Sequence, residues 1–106
     1  MQNRIYGYIG LAMKAGKIKA GEFSTEKSIK TGKAGLVLVA EDASENTIKK
    51  FRNSCLHYKV PFYTFGTKDE LGKIIGKEMR SSLSIEDEGF GKRIIGIMNG
   101  GNADVR

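Results

Sequence analysis

Apolar positions along this chain change their period repeatedly, and each change marks an element. Ile5, Ile9, Ala12 and Met13 recur at helical spacing, which predicts a helix over residues 3–15. Gly16 ends it, with Lys14 and Lys17 beside its negative pole. Ile18–Ala20 has room only for a short strand, and residues 22–31 read as a second helix stopped by Gly32. Leu36–Ala40 (LVLVA) is a continuous apolar run of the kind buried on both faces of a sheet. Ser44 is placed to cap a third helix, in which Ile48, Phe51 and Cys55 share an inner face. Pro61 halts that helix, and Pro61–Phe65 reads as another inner strand. Thr67 to Glu70 has capping-box spacing and opens a fourth helix with Leu71, Ile74 and Ile75 inward. Ser82–Ile85 is a fourth strand, and Asp87 starts a fifth helix carrying Phe90, Ile94, Ile95 and Ile97.

Alternation of this kind implies an α/β domain, one sheet with helices on both faces. A length of 106 residues fits a single domain whose core needs no covalent staples. Residues 1–98 are expected to form it, followed by a flexible tail over 99–106, since NGGNADVR is polar and glycine-rich. Gly-Lys pairs recur at 16–17, 32–33, 72–73, 76–77 and 91–92. They read as helix-end punctuation, the glycine for a left-handed cap and the lysine for the dipole.

Charge adds a direction to this picture. The net charge is +6, and most of the excess falls in residues 1–35. That stretch carries Arg4, Lys14, Lys17, Lys19, Lys27, Lys30 and Lys33 against only Glu22 and Glu26. A clustered positive field is the footprint of a nucleic-acid site, although basic surfaces also serve solubility alone. The single cysteine, Cys55, excludes an intramolecular disulfide framework and fits a reducing, cytoplasmic setting. No apolar run reaches membrane-spanning length, and the opening residues keep charges and glycines that a signal peptide would lack.

Candidate catalytic groups are few. Cys55 lies on the apolar stripe, and His57, two residues on, faces another way on a helix. One Cys and one His make no metal constellation, so no metal or cofactor is expected. Asp42, Glu45 and Glu86-Asp87-Glu88 follow strands or start helices, where capping and dipole pairing account for them. Gly16-x-x-x-x-Gly21 continues with Glu22-Phe23 rather than the Lys and Ser/Thr of a phosphate loop. Gly89-Phe90-Gly91 lacks the third glycine of a dinucleotide fingerprint. The Lys14–Lys33 region remains. Gly21 permits close backbone approach and opens a helix whose free N–H groups suit phosphate. Lys27 is spaced to face the same groove, Ser24 and Thr25 add hydroxyls, and Lys17, Lys19, Lys30 and Lys33 broaden the field.

Gly21–Asp42 resembles, without gaps, the signature region of the ribosomal-protein family called L-seven-Ae/L-thirty-e. The matching positions are Gly21, Lys27, Gly32, Ala34 and Leu36–Asp42, and the likeness runs on through VPFYTFGTKDELGKIIGK. AEDASENT and ELGKIIGK look especially like the family's bacterial YlxQ-type branch. The resemblance implies a three-layer α-β-α sandwich with a four-stranded mixed sheet. It also implies noncatalytic binding of structured RNA, ribosomal or kink-turn-like, linked to the ribosome, its assembly or translation. Ribosomal or translation proteins would be further partners. RNA would lie against Gly21–Lys27, including Glu22, and against the loop Gly76–Ser81, where Lys77, Met79 and Arg80 stand. Phe23 and Ser24 replace the Asn-Glu pair that reads tandem G·A pairs in the family, which removes that base recognition while leaving phosphate contact. Phe23 is then expected to pack down on the core as a staple, with stacking on an unpaired base as the alternative. The alternative function is a protein-interaction module on the same scaffold that has lost base-specific RNA recognition.

Overall fold

The computed structural model describes residues 2–100. Among them the elements follow as α1 (Gln2–Lys14), β1 (Ile18–Ala20), α2 (Glu22–Lys30), β2 (Leu36–Val39), α3 (Glu45–Tyr58), β3 (Phe62–Thr64), α4 (Lys68–Ile74), β4 (Ser82–Ile85) and α5 (Glu88–Gly100). The strands form one sheet in the order β1-β4-β2-β3. β4 runs antiparallel to both neighbours, whereas β2 and β3 are parallel. The sheet is therefore mixed, as the resemblance implied.

Pleating divides the buried strands between two cores. Leu36, Leu38 and Ala40 of the β2 segment, with Leu83 and Ile85 of β4, pack under Ile5 and Ile9 of α1, Leu71 of α4 and Ile94 of α5. Val37 and Val39 point the other way, onto Ile29 of α2 and onto Phe51 and Cys55 of α3. Helices cover both faces, which makes the three layers. The alternate residues of β4, Ser82 and Ser84, are also fully buried, on the side of α2. That contact is made by hydroxyls: Ser82 Oγ donates to Thr25 Oγ1 at 3.1 Å, and Ser84 Oγ lies 2.6 Å from Ser28 Oγ.

Local signals set the helix ends. Ser44 Oγ accepts from the Thr47 N–H at 3.1 Å, capping α3. Thr67 and Glu70 form the expected capping box at α4, each side chain accepting from the other's N–H at 3.1 Å. Tyr6 adds a tertiary bond there, its hydroxyl donating to Glu70 Oε1 at 2.6 Å. Gly16, Gly32 and Gly76 hold left-handed φ values of 74°, 77° and 71°, so those Gly-Lys pairs do punctuate helices. The other two do not. Gly72 lies inside α4, where a Cβ would collide with the Glu78 carbonyl, and Gly91 lies inside α5, where a Cβ would sit 3.4 Å from the Gly35 carbonyl oxygen. Their glycines serve close packing instead. Of the expected tail, Asn99 and Gly100 fall within α5, and Asn99 Oδ1 accepts from Tyr63 at 2.8 Å. Residues 101–106 lie outside the described residues.

Candidate nucleic-acid interface

α2 begins without a side-chain cap. Gly21 occupies the N-cap at φ 96°, ψ 162°, a conformation that favours glycine. Its N–H donates to the Ser82 carbonyl at 3.1 Å and its carbonyl accepts from Thr25 at 2.9 Å. The helix start is thereby fixed beside the first residue of β4, next to the loop that precedes it. Thr25, Ser28 and Ile29 form the buried face of α2. Phe23 lies two positions from Thr25, on the far side of the helix. It is 80% exposed, so the expected packing onto the core does not occur. The rotation of α2 is set by hydroxyl contacts to β4, which leave the ring no inward direction.

Beside α2, on the edge of β1, runs a groove of about 240 Å3. Lys19, Phe23, Ser24, Lys27 and Lys33 meet in it, joined by Ser28, Thr31 and Glu86. None of these lysines has an ion-pair partner among the described residues. The remaining expected residues near α2 lie outside this groove, although Lys30 lines a neighbouring hollow with Phe23, Glu26 and Lys27. Glu22 turns to α3, where Lys50 Nζ lies 2.6 Å from its carboxylate. Lys30 pairs with Glu26 at 3.5 Å. Lys17 is at the opposite end of β1 from Gly21, its carbonyl accepting from the Glu86 N–H at 2.7 Å.

Glu86 corrects a second expectation. Asp87 caps α5 by accepting from the Phe90 N–H at 2.8 Å, and Asp42 accepts from the Lys68 N–H at 2.9 Å at the start of α4. Glu86 instead accepts from Ser28 Oγ at 2.6 Å. An ionised carboxylate only accepts, so the one Ser28 proton goes to Glu86 and Ser84 must donate to Ser28. The signal for this was present in SLSI, whose serines alternate with Leu83 and Ile85 and so call for polar partners on α2.

The second expected element is the loop between α4 and β4. Its path over Gly72 is fixed by backbone contact with Glu78. Met79 is 59% exposed, and Lys77 is exposed beside it. Arg80 is half-buried, and its guanidinium folds back on the loop, donating to the Met79 carbonyl at 2.9 Å and the Glu78 carbonyl at 3.3 Å. The Ser81 carbonyl accepts from Ala40 at 2.8 Å, which holds the loop at the end of the sheet where α2 starts. The two expected elements are thus neighbours. Cys55 is fully buried, and burial, reinforced by Glu26, pushes its thiol up to about 12. His57 is exposed and sits edge-on to Tyr58 at 4.7 Å. The two do not form a dyad.

A small α-β-α sandwich that presents a basic groove, an exposed ring and an uncapped helix start is the class of domain defined here. Residues 3–95 match the ribosomal protein L7Ae/L30e/S12e/Gadd45 family, and the chain belongs to that family. It is 41% identical over 91 residues to the RNA-binding protein YlxQ of Bacillus subtilis (strain 168), a match covering 86% of this chain and 91% of that protein. It is 37% identical over 90 residues to the large ribosomal subunit protein eL30 of Candida albicans, covering 83% and 85% respectively. Among solved structures, a Bacillus halodurans protein described as having unknown function superposes with a TM-score of 0.86 at 29% identity, covering 90% of this chain and 96% of that one. The Giardia lamblia 15.5kD RNA binding protein shares the fold, with a TM-score of 0.79 at 23% identity and coverage of 96% and 88%.

Proposed function

We propose that this chain binds structured RNA, ribosomal or kink-turn-like, without catalysing a reaction on it, in the cytoplasm and in association with the ribosome, its assembly or translation. The relatives named RNA-binding or ribosomal support this. The observation that carries it is the outward Phe23 ring, set among Lys19, Lys27 and Lys33 beside an uncapped helix start. Lysines without internal partners are available to phosphates, the Gly21 helix start adds backbone N–H groups, and an exposed ring offers a stacking platform. Lys77, Met79 and Arg80 extend the contact across the adjacent loop, while Lys17 and Lys30 add to the field from outside the groove.

Filter binding with ribosomal and kink-turn RNAs over a salt series tests this. Affinity falls steeply with salt, and Lys27→Ala lowers the slope of log K against log salt by about one unit. Phe23→Ala costs about 1–3 kcal/mol if a base stacks on the ring. Absence of binding to any of these RNAs at low salt would refute the proposal. The exposed Phe23 also favours the second reading, a protein-interaction module. A partner that stays bound after nuclease treatment supports that reading, and one released by nuclease opposes it.

A further inference from the structure

We propose that the groove on the β1 side of α2 is a subsite for one unpaired guanine of the bound RNA, with Glu86 as the group that reads its Watson–Crick edge. This rests on the proposed RNA binding and sharpens it. The observation behind it is an acid where phosphate contact alone would call for none. Glu86 lines the same groove as Lys19, Lys27 and Lys33, yet it is in no ion pair with them among the described residues.

Its carboxylate is aimed from inside the protein. Ser84, fully buried, donates to Ser28, only 2% exposed, and Ser28 donates to Glu86 Oε2, each step at 2.6 Å. This hydroxyl chain uses one carboxylate oxygen and leaves Oε1 without a partner among the described residues. Glu86 itself is half-buried at the inner side, while Phe23 stands at the mouth.

A fixed carboxylate only accepts, so the occupant must offer donors. Lysines around it favour an occupant that carries phosphates nearby. Among the bases, uracil shows one N–H between two carbonyls, which the acid would repel. Adenine and cytosine each show one amino group beside a ring acceptor. Guanine alone shows two adjacent donors, N1–H and N2–H2, matching the free Oε1 and the second lone pair that Oε2 keeps beside the Ser28 bond. Pairing would occupy that same edge, so the base must be unpaired, the state in which RNA bases are read by side chains and stacked on rings.

The test uses the full chain and hairpin RNAs identical except for one bulged nucleotide: guanosine, inosine, adenosine or uridine. The wild-type protein is expected to bind the guanosine hairpin roughly tenfold tighter than the adenosine one, with inosine, which lacks the N2 amino group, between them. Glu86→Gln brings the guanosine-to-adenosine ratio close to one, with a thermal melt confirming that the variant is folded. Lys27→Ala weakens binding to all four hairpins together and keeps the ratio. Equal wild-type affinity for the four hairpins overturns the subsite and leaves RNA binding standing, as does a ratio that survives Glu86→Gln. Failure to bind any of the hairpins at low salt removes RNA binding and the subsite with it. Free GMP binding as tightly as the guanosine hairpin would overturn the assignment to an RNA-borne base.

Discussion

Tyr6 joins two helices that are far apart in sequence, and its hydroxyl has one strong partner, Glu70. Burial, helped by the Glu70 hydrogen bond and the charges of Glu70 and Glu41, pushes the Tyr6 phenol from 10.0 up to about 12. The same bond, with those from Thr67, holds the Glu70 carboxyl below its ordinary 4.5, against opposing contributions from burial and Asp42. Each shift has its own pH window. The Glu70 contribution to stability is complete above its ordinary value and disappears as pH falls through its lowered folded value. The Tyr6 contribution is complete below 10 and disappears as pH rises towards about 12. Urea denaturation of Tyr6→Phe across pH is therefore expected to show a lower plateau at neutral pH and flatter acid and alkaline limbs than the wild type. An acid limb parallel to that of the wild type would show that the bond does not lower the Glu70 carboxyl.

At the scale of elements, the seam between α2 and β4 is the least ordinary contact in the fold, because hydroxyls do there what aliphatic side chains do elsewhere. Ser28→Ala deletes the middle of the Ser84–Ser28–Glu86 chain and strands a fully buried hydroxyl on Ser84, at a cost of about 1–3 kcal/mol. Adding Ser84→Ala in that background removes the stranded group, so it should be neutral or restore stability. Denaturant midpoints of the two single variants and the double variant check this non-additivity. The same seam explains what the sequence could and could not show. Caps at Ser44 and Thr67 and the apolar stripes of α1, α3 and α5 are local patterns, and they were legible. The orientation of α2 was not. Its buried face consists of Thr25, Ser28 and Ile29, so hydrophobicity nominated Phe23 as the anchor, whereas the polar partners that turn it outward lie in β4. A helix start at Gly21 and an exposed Lys27 beside the groove were legible. Glu86 was hidden because it reaches that groove only through the antiparallel register that sets Lys19 opposite Ser84.

For the whole molecule, Cys55 is a built-in reporter. Its thiol is fully enclosed between α3, α2 and the sheet, and it is pushed up to about 12, so native labelling requires opening of that core. Reaction with a disulfide reagent is expected to be slower than in the denatured chain by about a thousandfold or more, given ordinary domain stability. The rate should rise in step with the unfolding curve in urea. Fast labelling in buffer would mean that the α2–α3 layer opens by itself. Among the described residues the sheet is bounded by β1 and β3, each three residues long, the first carrying Lys19 outward. So short an edge gives another chain almost no ladder to extend. Copies held close together therefore have little means of knitting their sheets into a fibre.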